Sequence, residues 1–390
     1  RRSSDLNLSM LARDATVFSN HRGASTSVAA SVASLISGRP PLGHGVLDSG
    51  RVLPTAVVTI GSLAPEASVV ASMFSAVPTT SRAFGFAKQW DDFSWYPPNG
   101  GRLASAPFSD ASSWLLRTAA KKRALAMIHA RGGHPPFEIT SKEAKRLPPN
   151  DYAGYLGPRR AAQELLTAKG KLGRLSEADR DRLRALFMVS LAGQDHALGE
   201  LIRSLSDVNL YNDTLLIVTT DVSSGRRTLF RDGLPLDEMR LTLPLYVHFP
   251  GDHQAGKLSL VPTESYDVTR TVLDALEIKA PAEMRGRNLS KLVSPKQASL
   301  SSLRFAQVKD QYSARLGEYV LHGKLNQRPR LCQLSVDPSC AFDRSLALPL
   351  VTDMLFRQAA VFVASEEPAA GDPIVMDSET AASLKVWGAY

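Results

Sequence analysis

The chain reads as an α/β protein: a sheet flanked by helices over residues 1–295, then a small α+β subdomain over 296–390. Three observations predict this. Apolar runs of strand length at Ser68–Phe74, Ala124–His129, Thr214–Asp221 and Leu243–Phe249 alternate with helical segments, as in buried strands wound with helices. Those helical segments carry apolar residues at three- and four-residue spacing. After Ser294 the alternation stops; short strand-like runs at Glu318–Leu321 and Arg330–Leu334 are followed by helical segments at Val351–Val363 and Ser378–Trp387.

In order, Leu6–Ala12 is a short amphipathic helix and Thr16–Phe18 a strand. Thr26–Arg39 carries the most information. Val28, Val32, Leu35 and Ile36 fall at i, i+4, i+7 and i+8, one apolar helix face. Ser25–Ser27 offers hydroxyl caps and Gly38 a stop. Alanines and serines fill the other faces, so neighbours can approach closely, and the unpaired N–H groups at its head suit an anion. Gly43–Val46 is a loop, Val52–Leu63 a turn and further helix, and Gly85–Phe93 an aromatic-rich loop. Phe108–Lys121 is helical and Gly132–Phe137 a loop, while residues 138–174, basic and punctuated by Pro and Gly, read as a surface excursion. Ser176–Leu205 is the best helix, capped by Ser176 with Asp179 three residues on. Thr214–Asp221 is a buried strand ending on a carboxylate. Ligands of open α/β sheets gather at such strand ends, so Asp221 is a candidate site residue, although an Asp there also forms turns. Tyr266–Leu276 is a helix, and there is no internal repeat.

At 390 residues and 44% hydrophobic content the chain can bury one large core and a smaller unit. No apolar run is long enough to span a bilayer. Arg1-Arg2-Ser3-Ser4-Asp5 is no signal peptide and contains no initiator Met. Net charge is +8, with basic clusters at Lys121–Arg123, Lys142–Arg146, Arg159-Arg160 and Lys169–Arg174. Such runs are usually solvated faces; the functional alternative is an anionic partner. Without aromatic interleaving or a recognition motif, nucleic acid is not expected. Cys332 and Cys340 flank a turn-like segment. They either close it as a disulfide, if the protein is exported, or stand as free thiols; a zinc site would need more ligands nearby.

Several segments also follow one another in a familiar order. Leu35-Ile36-Ser37-Gly38-Arg39 ends a signature helix and His44-Gly45-Val46 follows it. Gly85–Phe93, His134-Pro135-Pro136-Phe137 and Asp195-His196-Ala197-Leu198-Gly199 come next, then Asn212–Asp221, Pro244–Gly251, Gly286-Arg287-Asn288-Leu289 and Asp377–Tyr390. The order and spacing resemble the sulfatase family of the alkaline-phosphatase superfamily over nearly the whole chain. The resemblance implies a mixed sheet flanked by helices. It also implies hydrolysis by a formylglycine made from Cys or Ser, helped by a divalent cation and cationic side chains.

The departures fall on the chemistry. The resemblance puts the nucleophile position on Val28 and the accompanying Pro and Arg positions on Ala30 and Val32. Valine has no heteroatom to oxidise or to attack sulfur. The metal-ligand pattern falls on Asp221-Val222-Ser223-Ser224, where only Asp221 is kept, and a later His falls on Asp232 before Gly233. A pair of aspartates and a central strand would precede Arg1, so the resemblance implies an N-terminal extension. The candidate catalytic residues are Thr26, Ser27 and His134, and Asp221 is a vestigial or partial metal ligand. His129 reads as a packed or capping residue and His196 as structural. The expected function is a sulfatase-like protein that has lost hydrolysis. It would bind or scaffold an acidic or sulfated glycan, or another anionic ligand, with no cofactor. The alternative is an active sulfuric- or phosphoric-ester hydrolase or transferase using Thr26, Ser27 or Ser31 with Ca²⁺ or Mg²⁺. A third reading is a structural domain of a larger membrane-tethered protein. The expected location is extracytoplasmic: periplasmic, secreted, or membrane-tethered through an N-terminal part.

Overall fold

A computed structural model describes residues 7–98, 103–134, 137, 139–147, 152–154, 156, 176–223, 235–293, 302–324, 327–369 and 371–387. Helix α1 (Asn7–Asp14) leads into β1 (Thr16–Phe18) and β2 (His21–Arg22). Helix α2 (Val28–Ser37) and the short turns α3 (Pro41–His44) and α4 (Ile60–Leu63) follow, then β3 (Val69–Ser75), β4 (Asp92–Trp95), α5 (Ala106–Ala119) and β5 (Arg123–His129). Next come α6 (Ser141–Ala144), the long α7 (Glu177–Ser206), β6 (Leu216–Thr219), α8 (Glu238–Leu241), β7 (Thr242–Leu243) and β8 (Leu245–His248). Strands β9 (Leu258–Ser259) and β10 (Thr263–Glu264) precede α9 (Ser265–Ala275). The C-terminal part holds β11 (Arg304–Val308), β12 (Gln311–Leu316), β13 (Tyr319–Lys324), β14 (Arg330–Gln333), α10 (Pro349–Ala364) and α11 (Ser378–Trp387).

The fold is mixed α/β, as expected, but it is not a uniformly parallel doubly wound sheet. One sheet runs β6-β8-β1-β9, with β8 antiparallel to both β6 and β1, and β9 parallel to β1. Another runs β4-β3-β5, all parallel. A small third sheet is β10-β2-β7. Prolines and short strands are responsible: Pro244 interrupts the Leu243–Phe249 run between β7 and β8, because proline cannot donate to a ladder. The end of the Gly85–Phe93 loop is also a strand edge: Asp92 and Phe93 pair with Ser72 and Met73.

Helix α2 sits in the main core. Ala29, Ala30, Val32, Ala33 and Ile36 are all buried with β3 and α9 residues, which the small residues permit. The Thr269 hydroxyl of α9 donates to the Leu35 carbonyl at 2.6 Å. Gly38 ends the helix in the left-handed region, φ 62°, and its N–H caps the Ser34 carbonyl. A Cβ there would lie 3.1 Å from the Thr269 methyl. Behind the helix, fully buried His44 accepts from the Val46 N–H on Nδ1, so Nε2 donates to the Ser34 hydroxyl at 2.9 Å. Burial, reinforced by Arg39, pushes this imidazole down to about 3, so it packs as a neutral ring.

The described residues of the 138–174 stretch are more than a surface excursion. Ile139 and Leu156, with Phe137, form a buried cluster against Leu183, Leu186 and Val189 of α7. Isolated apolar residues in a polar stretch carry no periodic signal, so only the packing reveals them. The basic runs at 159–160 and 169–174 lie outside the described residues. Helix α7 is capped as expected: the Ser176 hydroxyl accepts from the Asp179 N–H, and Asp179 accepts from the Ser176 N–H. Strand β6 is half-buried rather than buried, and shorter than Thr214–Asp221. None of the described helices is long and apolar enough to cross a membrane.

The C-terminal subdomain is an antiparallel meander, β11-β12-β13-β14. Leu355 and Ala359 of α10 pack on Ala314, Leu321 and Leu331. Strands β11 and β12 escaped sequence reading because Arg304, Gln307, Gln311 and Arg315 mask their alternation. Cys332 and Cys340 are disulfide-bonded, Cα atoms 5.3 Å apart. The expected boundary at 295/296 lies outside the described residues.

A buried ionic knot joins this subdomain to the rest. Arg22, 1% exposed, pairs with Glu238 at 2.6 Å, and Arg315 of β12 takes the other carboxylate oxygen at 2.7 Å. Arg22 also donates to the Ser313 hydroxyl and the Arg304 carbonyl. Burial alone would raise the Glu238 carboxyl, but the two guanidiniums outweigh it and hold it at about 2. Nearby Glu264 behaves oppositely: burial and Asp267 push it up to about 7.

Two consequences are measurable. Gly38→Ala should lower stability by roughly 1–2 kcal/mol, the cost of a Cβ in left-handed backbone, read as a drop in denaturation midpoint. Glu264 keeps its proton in the folded chain between about pH 4.5 and 7, where the unfolded chain has released it. Its contribution therefore makes stability fall as pH rises through that window. Thermal melts of Glu264→Gln, which retains an acceptor for the Phe305 N–H, should lose this part of the slope; an unchanged slope would contradict the assignment.

Candidate active site

The C-terminal ends of β5 and β6 and the head of α2 converge. Asp221 lies two residues beyond β6. Its Oδ1 accepts from the Val222 N–H at 2.6 Å and its Oδ2 meets His129 Nε2 at 3.3 Å. Its main-chain carbonyl accepts from the Ser31 hydroxyl of α2 at 2.5 Å. Burial opposes its ionisation, but His129, the Val222 N–H and His134 together hold the carboxyl below its ordinary value.

His129 is the last residue of β5 and is 9% exposed. Its Nδ1 lies 2.8 Å from the Thr80 hydroxyl, which meets the Ser75 hydroxyl at 2.9 Å. Both hydroxyls are fully buried. His129 is packed, as its sequence context suggests, and in addition one ring nitrogen faces the carboxylate of the candidate site. Its place at a strand's end was the available signal.

Past β5 the chain turns through Arg131, 3% exposed, and Gly132. Gln194 of α7 fixes this turn from both sides, accepting from the Gly132 N–H at 2.8 Å and donating to its carbonyl at 2.6 Å. His134 follows as an exposed residue whose ring is nonetheless crowded by protein. The surrounding protein chiefly, then His129, Arg131 and Arg240, depress its pKa, while Asp221 opposes them. The structure thus gathers His129 and His134 around the charge of Asp221, with Arg131 and Arg240 close enough to His134 to act on its ring.

Thr26 and Ser27 stand at the head of α2 but are not hydrogen-bonded to an imidazole or carboxylate of the described residues. The Thr26 hydroxyl donates to the Pro235 carbonyl, and Arg240 donates to the Thr26 carbonyl at 3.0 Å. Ser27 occupies the N-cap position without making a side-chain cap; its hydroxyl meets that of Ser49 at 3.3 Å. Val28 opens the helix, half-buried. Ser224, Asp232 and Gly233 lie outside the described residues. His196 is an exposed residue of α7, 64% accessible, beside Glu200 rather than in the core; Asp195 instead receives the Asn7 and Leu8 N–H groups at the head of α1.

Among the described residues, the donors around Asp221 do not make up a site for a hard divalent cation. Such ions take six or more oxygens, whereas Asp221 spends Oδ1 on a backbone N–H and Oδ2 on an imidazole. Among the described residues, three His, Cys, Asp or Glu ligand atoms come together only at His322, Cys332 and Cys340. Beside a helix N-terminus, His134 and the Arg240 side chain offer donors that suit an anion.

The Sulfatase family model matches residues 5–278. An arylsulfatase of Clostridium perfringens is 27% identical over 123 residues, 30% of this chain and 25% of that protein. The multifunctional alkaline phosphatase superfamily protein PehA of Trinickia caryophylli is 24% identical over 220 residues, 54% of this chain and 39% of that protein. The chain thus matches less than half the length of either relative. Among solved structures, the phosphonate monoester hydrolase of Agrobacterium radiobacter superposes with a TM-score of 0.72 at 16% identity, covering 92% of this chain and 90% of that one. A protein solved with its substrate D-glucosamine-2-N,6-O-disulfate gives 0.73 at 14% identity, covering 93% of each chain. With the family matched over most of its length and the fold shared throughout, the chain belongs to the sulfatase family.

Proposed function

We propose that this family member binds an anionic ester, a sulfated glycan or a related sulfate or phosphonate ester, without hydrolysing it by the family's covalent route. One observation carries the reading: Val28 heads the helix where the nucleophile belongs, while flanking Thr26 and Ser31 direct their hydroxyls to main-chain carbonyls. The relatives named for arylsulfatase and phosphonate monoester hydrolase activity, and the neighbour holding a disulfated glucosamine, support the ligand class. The site would use no metal, in keeping with the donors around Asp221. An extracytoplasmic location fits the Cys332–Cys340 disulfide. A second, hydrolytic reading rests on Ser27, whose hydroxyl makes no helix cap and, among the described residues, meets only that of Ser49.

Purified protein should show no turnover of a nitrophenyl sulfate or phosphonate monoester with Ca²⁺ or Mg²⁺ present, and elemental analysis should find no stoichiometric divalent ion. Turnover abolished by Ser27→Ala would establish the second reading. Inorganic sulfate binding supplies a further check. Without a cation, the Asp221 carboxylate repels an incoming anion, so Asp221→Ala should tighten sulfate severalfold, most at low salt. Weaker binding in that variant would reveal a cation held by Asp221.

A further inference from the structure

A second cleft, of about 560 Å³, lies between α5, α6 and α7. It is built differently from the recess at Asp221. Helix α5 and its N-cap contribute Ser105, Ser109, Ser112 and Ser113, and Ser204 of α7 faces them. Apolar surface comes from Phe108, Leu116 and Leu201. Lys142 of α6 and Arg146 just beyond it line the cleft four residues apart, and neither makes an ion pair with another described residue. Two carboxylates also reach it. One Glu143 oxygen accepts from the Thr140 N–H, and the other lies over Gly193 of α7, where a Cβ would come within 2.1 Å of it. Glu200 is partly neutralised by Arg203 at 2.5 Å.

Serine hydroxyls and carboxylates pair with the hydroxyls of a polyol. An apolar strip suits the C–H face of a sugar ring, and two unpaired cations suit one anionic group. A cleft of this size accommodates a small ligand. We infer that the α5–α6–α7 cleft binds a sugar ring carrying one sulfate, phosphate or carboxylate group. The anion would lie at Lys142 and Arg146, and the ring hydroxyls would face the serines and Glu143. This binding is independent of Asp221 and of the function proposed for that site.

Calorimetric titration of the whole chain at low salt tests it, using glucose 6-sulfate, glucose 6-phosphate, glucuronate, glucose and inorganic sulfate. At least one anionic sugar should show one saturable site per chain beyond that at Asp221, and glucose alone and inorganic sulfate should fill this added site about tenfold more weakly or worse. The double variant Lys142→Ala/Arg146→Ala should weaken it about tenfold or more, the worth of one charge-assisted contact. Exposed Ser109→Trp, which fills the mouth without touching a core position, should block it, and Asp221→Ala should leave it within about twofold, because a screened charge outside the cleft contributes little. No saturable anionic sugar, equal binding of inorganic sulfate, or indifference to the Lys142/Arg146 change would overturn the inference. Retention in the double variant with affinity altered severalfold by Asp221→Ala would also overturn it, because the sugar would then occupy the other site.

Discussion

The ion pair of Arg22 with Glu238 is the constraint on which the arrangement of this molecule turns. Both groups are withdrawn from water, and an isolated buried charge costs several kcal/mol. Each is therefore committed to the other and to Arg315 on the C-terminal sheet. Glu238 belongs to the single turn α8, whose position is consequently fixed. Two residues on, Arg240 grips the Thr26 carbonyl, while Pro235, before the turn, accepts the Thr26 hydroxyl. The Arg240 carbonyl in turn receives the Ser223 N–H, just past Asp221. One buried carboxylate thus sets the head of α2, the end of β6 and the docking of the C-terminal meander.

Most of the architecture follows from local chemistry that a sequence displays. The capping box of α7, the glycine stop of α2 and the apolar runs of β3 and β5 are each written in contiguous residues. The elements that escaped are those whose cause is distant. Strands β11 and β12 are disguised by arginines whose charges are answered by Glu238 and by the Asn20 carbonyl. Phe137 and Leu156 gain their burial from a helix that begins many residues later.

The site divides in the same way. Asp221 stood out because a carboxylate at a strand's end follows from periodicity alone. The significance of Val28 came from a likeness of segments. The pairing of His129 with Asp221 joins residues 92 positions apart, and no local pattern announces it. The clamp of Gln194 on Gly132, which sets the direction of Arg131, is equally invisible, since a glutamine inside a helix looks like any solvated residue.

The two buried hydroxyls behind His129 give that ring an unusual freedom. The Thr80 oxygen lies within reach of the Val77 carbonyl, the Ser75 hydroxyl and the ring Nδ1. With the Thr80 proton on the Val77 carbonyl, the oxygen accepts an N–H from Nδ1; with that proton turned to Nδ1, the Ser75 hydroxyl can serve Val77 instead. Rotating two O–H bonds thus lets the buried hydroxyls either donate to or accept from Nδ1 with every heavy atom in place. The wall behind the candidate site is therefore fixed in shape yet adjustable in polarity.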